Sequence, residues 1–226
     1  CVAADLREPD PSGIMEHARS DRFIDFFSRC SFQFPHVVYV AGNHEHYHGD
    51  FAFTLGTLKH HLSRFPNLHI LDKETVKIGD ISFVGGTMWT DMNKEDPLTM
   101  YHIKSMMNDF RTVKNSNSMV SFKTFEPISK PVGMTDEEYL AQPHEKRFKT
   151  VFRERFATFS PEDAVADNKE FRQYLQSVIE GKNDEKFVVC THHTPSHRSC
   201  HPRYASDELM NGGYHNQLDD YIMDHP

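Results

Sequence analysis

The apolar residues of this chain fall into short continuous runs and helically spaced sets. Val37-Val38-Tyr39-Val40 has no polar break, the pattern of a strand covered on both faces, as in a parallel sheet flanked by helices. It halts at Gly42 and passes directly to Asn43, His44 and Glu45. Upstream, Cys1-Val2-Ala3-Ala4 is a shorter apolar run ending at Asp5. Phe23, Phe26, Phe27 and Cys30 then recur at helical spacing, with Ser12 as the candidate cap. Strand, helix and strand in that order predict a right-handed βαβ unit, its first two strands parallel, with Asp5 and Asn43 at one edge.

Further along, Phe51, Leu55, Leu58 and Leu62 share a helical face, and residues 67–71 read as another strand. Residues 75–78 and 81–84 flank Gly79-Asp80, a two-residue loop with glycine first, which suits a type II′ hairpin. Antiparallel pairing beside parallel strands predicts a mixed sheet. Met100, Ile103, Met106 and Met107 indicate one helix, but prolines, charges and polar residues dominate the rest of 93–158. That stretch reads as an insertion or cap over a site rather than as core. At Ser160-Pro161-Glu162-Asp163 a cap, a first-turn proline and an acid three residues after the cap announce a helix, with Phe171, Tyr174, Leu175 and Val178 as its buried stripe. A last strand, 186–190, ends in Thr191-His192-His193.

Composition narrows the class. At 226 residues, with 38% hydrophobic and 26% charged, the chain suits one globular domain over 1–226. No apolar run approaches the length of a membrane span. A formal charge of −8 works against non-specific binding to a nucleic-acid backbone. Cys1, Cys30, Cys190 and Cys200 form no CxxC pair and no signal peptide is visible, which points to reduced thiols in a cytoplasmic protein. The chain begins without methionine inside a strand-like run, as a fragment with its natural start upstream would. Lys146, Arg147, Lys149, Arg153 and Arg155 are interleaved with acids and read as a solvated face before they read as a phosphate site. His46 and His48 read as surface residues, and Trp89 as packing.

Three separated runs therefore end in metal-capable side chains: Asp5, Asn43-His44 and His192-His193. Ligands in α/β sheets bind at the carboxyl ends of strands. A carboxylate, an amide and imidazoles suit Mn²⁺, Fe, Zn²⁺ or Ni²⁺ and argue against an all-thiolate structural zinc. His44, beside a ligand but pointing elsewhere, is placed to give a proton to a leaving group. A rival grouping, His192, His193, His197, Cys200 and His201, could form a zinc knuckle, but no second ligand pair accompanies it.

Gly42-Asn43-His44-Glu45 resembles the GNHE signature of the calcineurin-like metallophosphoesterases. Asp5 after its apolar run resembles that family's GD motif, with Ala4 in place of the glycine, and His192-His193 resembles its later histidine motif. Residues 81–91 and 159–179 are similar to bacterial and phage members. The family's opening DxH and closing GHxH motifs are absent from this stretch. The resemblance implies an α/β fold, a four-layer α/β/β/α sandwich of two mixed sheets with flanking helices. It implies hydrolysis of a phosphoester, monoester or diester, by a hydroxide activated at a dinuclear centre. The cofactor would be two divalent ions, Mn²⁺ first, with Fe, Zn²⁺ or Ni²⁺ as alternatives. Asp5 would bridge the ions, Asn43 and His192 would bind the second, His44 would donate the proton, and His193 would stand behind the ligands or against the substrate. The partner would be a phosphorylated substrate, with no membrane and no nucleic acid expected. The alternative is a non-catalytic scaffold of this fold that binds a partner protein.

Overall fold

The computed structural model describes residues 14–182 and 184–225, with side chains from Phe23 onward. It is a mixed α/β protein with several sheets. Asp5, the run before it and Ser12 lie outside the described residues. Contacts divide the chain into two compact units, Cys1–Lys114 with Thr158–Pro226, and Asn115–Ala157.

In the first unit, helix α1 (Ile14–Gln33) leads to strand β1 (Val37–Tyr39), a 3-10 turn (Asn43–His46), helix α2 (Thr54–Leu62) and strand β2 (Leu68–Ile70). The first and second strands pair in parallel, Val37 opposite Leu68 and Tyr39 opposite Ile70. Phe23 and Phe27 of α1 meet edge to face at 4.9 Å, and Phe27 meets Tyr39 at 4.9 Å. With Ala41, Leu58, Leu62 and Ile70 they form one core cluster. Burying each large side chain contributes roughly 1.5–3 kcal/mol. Asn67 closes the far end of α1: its Nδ2 donates to the carbonyls of Ser31 (2.9 Å) and Phe34 (2.8 Å), acceptors that a helix end leaves free. Expected to be covered on both faces, β1 is only half-buried, and β2 is its one paired neighbour among the described residues.

The second sheet has the order β3-β4-β7, from β3 (Glu74–Ile78), β4 (Ile81–Gly86) and β7 (Lys186–Thr191). The first pair is antiparallel around Gly79-Asp80, with Gly79 at φ 65°, and the second pair is parallel. This is the mixed sheet that the hairpin pattern anticipated. Helix α7 (Pro161–Ile179) opens with the box read from the sequence: the Asp163 N–H donates to Ser160 Oγ (3.2 Å) and the Ser160 N–H to Asp163 Oδ2 (2.9 Å). Its Phe171 and Leu175 bury against Val84, Met88 and Leu218.

The stretch 92–113 departs from the sequence reading. After a left-handed turn, Met92–Glu95, with φ from 51° to 63°, come α3 (Pro97–Met106) and α4 (Asp109–Thr112). Met92, Ile103, Met107, Phe110 and Val113 are core, packed with Trp89 and Phe159. The apolar residues are too sparse among polar ones for the local pattern to show how deeply α3 is set. The Trp89 segment is pinned by buried amides. Asn168 Nδ2 donates to the Trp89 carbonyl and to Asn216 Oδ1 (2.9 Å), and the Asp91 N–H donates to the same Oδ1 (3.2 Å).

The second unit is built on a two-stranded ribbon of β5 (Lys114–Pro127) and β6 (Phe148–Thr158), with short helices α5 (Asp136–Leu140) and α6 (His144–Arg147) between them. These strands were not read from the sequence, because both are largely exposed and so lack a strict apolar alternation. Lys149 and Arg153 of the basic cluster pair with Glu126, and Arg155 lies over the Phe122 ring at 5.5 Å. In the first unit, α8 (Glu208–Asn211) and α9 (Asp219–Asp224) follow β7. Cys30, Cys190 and Cys200 are free thiols. Among the described residues no helix is long and apolar enough to cross a membrane.

Candidate functional site

The run after β1 folds back on itself because Glu45, buried at 3% exposure, accepts the Gly42 N–H at Oε2 (2.7 Å). That single backbone-to-carboxylate bond caps the 3-10 turn, in which two neighbours differ in exposure. Asn43 points inward, while His44 stays exposed with its ring 4.4 Å from that of Tyr47. Gly42 is required by close approach. A β-carbon there would lie 2.7 Å from His192 Cε1 and 2.8 Å from His192 Nδ1, well inside van der Waals contact.

His192 follows β7, and the backbone N–H groups of His192 and His193 both reach the Thr87 carbonyl, each at 3.3 Å. Thr87 is itself tied down, its hydroxyl donating to the Ala41 carbonyl at 2.9 Å. This hydrogen-bonded path links the β7 terminus to the β1 terminus. Across it, His192 Nε2 stands 3.0 Å from Asn43 Oδ1. The amide orientation follows from its other side, where Asn43 Nδ2 donates to Asp109 Oδ1 at 2.7 Å. An ionised carboxylate only accepts, so the amide oxygen must face His192. Tyr47 donates to the second Asp109 oxygen at 2.9 Å, and Asp109 is buried at 1% exposure. Two donors satisfy a carboxylate that would otherwise be costly to bury.

Asp109, Tyr47 and Tyr214 were not foreseen. The only signal was an acid set between Met106-Met107 and Phe110, and nothing in its spacing ties it to a residue 66 positions upstream. Burial first, and the Asp109 charge second, hold both tyrosine hydroxyls above their ordinary range. Burial lowers the His192 pKa, partly offset by Glu45. His193 is pushed down to about 3 by burial and then by neighbouring His192, so its ring is neutral. It packs 5.1 Å from the Trp89 ring, and its Nδ1 has no hydrogen-bond partner among the described residues.

His46 corrects the sequence reading. It is buried at 1% exposure, its ring 5.2 Å from Phe51 and 6.0 Å from Trp89, while His48 is exposed. The 3-10 turn carries it inward, and a run as polar as 43–48 gives no hint of that. The residues of the rival knuckle serve other contacts: His197 stacks on His215 at 5.1 Å, Cys200 donates to Asn211, and His201 accepts the Arg203 N–H.

Asn43, His44, Tyr47, Met106, Met107, Asp109, His192, His193, Met210 and Tyr214 line an open cavity of about 490 Å³. Among the described residues no three His, Cys, Asp or Glu side chains gather closely enough to hold an ion. What the cavity does hold is an oxygen and nitrogen pair, Asn43 Oδ1 and His192 Nε2, at 3.0 Å. Adjacent donors around one ion, each about 2.1 Å from it, stand roughly 3 Å apart, so this pair fits two positions of one coordination sphere. Because Asp109 orients that amide, Asp109→Ala should weaken binding about tenfold or more if the pair is a ligand set for Mn²⁺. Titration calorimetry on the folded variant would measure it, and unchanged affinity would remove Asp109 from the site.

No family model matches the chain, and no solved structure does. The chain is 28% identical over 111 residues to a protein of Acanthamoeba polyphaga mimivirus described only as uncharacterized. The match covers 46% of this chain and 39% of the viral protein, so the chain spans about two fifths of that relative's length.

Proposed function

We propose that the protein is a metal-dependent phosphoester hydrolase of the calcineurin-like kind, its sheets forming the inner layers of a four-layer α/β/β/α sandwich. The observation that carries the reading is the meeting of Asn43 and His192, 149 residues apart, at 3.0 Å, with the amide locked in the orientation a ligand needs. Asn43 and His192 would hold one ion, with Asp5 as the further ligand the resemblance assigns. Two bound divalent ions, Mn²⁺ first, would supply Lewis-acid stabilisation of the phosphoryl oxygens and acidify water to serve as nucleophile.

The remaining work falls to the chain's own groups. His44 presents an exposed imidazole to the cavity and, as imidazolium, would give its proton to the departing oxygen. Tyr47 supports that ring on one side and Asp109 on the other, coupling the donor's position to that of Asn43. Neutral His193 forms an uncharged wall beside His192.

The test uses the full-length protein supplied with Mn²⁺. Elemental analysis should find bound metal, and a generic aryl phosphodiester or monoester should be cleaved. Protein that retains no metal and turns over neither ester would favour the non-catalytic scaffold.

A further inference from the structure

The cavity has a mixed lining. Its polar groups include Asn43, His44, Asn108, Asp109, His192 and Thr194, and Met106, Met107 and Met210 line it together with the rings of Tyr47 and Tyr214. Met106 is 58% exposed and Tyr214 46% exposed, whereas Met107 is buried at 6%. The apolar part of the lining therefore has both buried and open surface. Its shape is built in. A β-carbon at Gly213 would lie 2.8 Å from both Ile103 Cδ1 and Met107 Sδ, so this glycine lets the turn after α8 close on α3. That closure brings Met210 and Tyr214 beside Met106 and Met107. Tyr47 and Met210 are in turn packed against the Trp89–Phe159 core.

Flexible thioethers and tyrosine rings lining one cavity suit a planar aromatic group, which can stack on the rings and be gripped by the methionines. A volume of about 490 Å³ admits a ligand of nucleotide size. A phosphomonoester carries nearly two charges at neutral pH. A diester carries one, together with a second organic group that needs a place to lie.

We infer that the substrate is a phosphodiester one of whose ester groups carries a nucleobase or comparable aryl ring, seated against Met106, Met107, Met210, Tyr47 and Tyr214. The inference rests on the phosphoesterase reading above and narrows its substrate class.

The experiment compares three substrates with the full-length, Mn²⁺-supplied protein: thymidine 5′-p-nitrophenyl phosphate, the alkyl diester glycerophosphocholine, and the monoester p-nitrophenyl phosphate. The nucleoside diester should have a kcat/KM at least about tenfold above either of the others. Tyr214→Ala and, as the more exposed alternative, Met106→Ser should each raise its KM about fivefold to tenfold, erasing much of that preference. Equilibrium dialysis of a non-hydrolysable nucleoside phosphorothioate diester should show the same weakening without turnover. A faster monoester reaction, equal rates for aromatic and alkyl diesters, or unchanged binding in both folded variants would overturn this inference and leave the phosphoesterase reading standing. No turnover of any of the three, together with no retained metal, would sink both.

Discussion

On the phosphoesterase reading proposed above, Gly42→Ala is expected to remove bound metal and turnover together, and His44→Ala to remove turnover alone. The two residues are separated by one position yet act on different things. The added methyl group at Gly42 would stand 2.7 Å from His192 Cε1 and 3.0 Å from Glu45 Oε2. The backbone there has φ −96°, which alanine accepts, so the damage comes from the collision. Relief requires the His192 ring to swing away from Asn43 or Glu45 to release the turn. Either movement breaks the 3.0 Å pairing. A displacement of about 1 Å in such a constellation costs on the order of 10²-fold in rate, and the overpacking about 1–3 kcal/mol in stability. His44 contacts Tyr47 and lines the cavity but takes no part in the Asn43–His192 pair. Its loss should lower kcat by about 10² or more, as expected for a general acid, with metal content unchanged. Elemental analysis and steady-state kinetics on both variants separate the roles. A Gly42→Ala protein with full metal content, or a His44→Ala protein with normal kcat, would refute the assignment concerned.

The second large effect is on stability as a function of pH. His46 is buried, neither ring nitrogen finds a partner among the described residues, and burial pushes its pKa down to about 4. An unfolded chain would bind a proton at this residue near pH 6.5. Between pH 6.5 and about 4 the unfolded state thus holds a proton that the folded state refuses. The sign follows: His46 costs nothing above pH 6.5, destabilises progressively as pH falls through that window, and adds nothing further below it. The full effect is about 3 kcal/mol, comparable to a large share of a domain's net stability. Urea unfolding at pH 7.5 and pH 4.5 should show it as a difference between the wild type and His46→Leu, the variant losing less stability on acidification. Identical losses in the two proteins would mean that the ring is hydrated or charged in the fold.

Local patterns in the chain carried a good part of the architecture. Residues 75–84 announced their own hairpin, because alternating apolar residues around Gly79-Asp80 leave few other conformations open. Ser160 and Asp163 marked the start of α7, because capping needs only residues three apart. The helices containing Phe27 and Leu58 and the strands at Val37 and Phe187 followed from apolar spacing in the same way. Each of these is a short-range property, decided within about a turn of helix or a few residues of strand.

Depth and company are of another kind. Nothing between residues 43 and 48 distinguishes His46, which goes inside, from His48, which stays out. The difference arises only when Phe51 and Trp89 close over the turn. The region around Ile103 and Phe110 reads as polar cap yet packs as core, since sparse apolar residues can line a buried face when partners from Phe159 and Val165 meet them. The ribbon strands β5 and β6 were invisible for the converse reason: exposed on much of both faces, they need no apolar alternation.

Local sequence pattern, then, determined several of the strands and helices, that the sheet of residues 74–86 and 186–191 is mixed, and which polar residues stand after the strands at Val37 and Phe187. The tertiary structure decided that Asn43 faces His192, that Asp109 holds that amide from its other side, and that methionines and tyrosines distant in sequence line the same cavity. Those are contacts between residues as far as 149 positions apart. Their geometry is set by how sheets and helices pack, a property of the whole chain that no local window of residues contains.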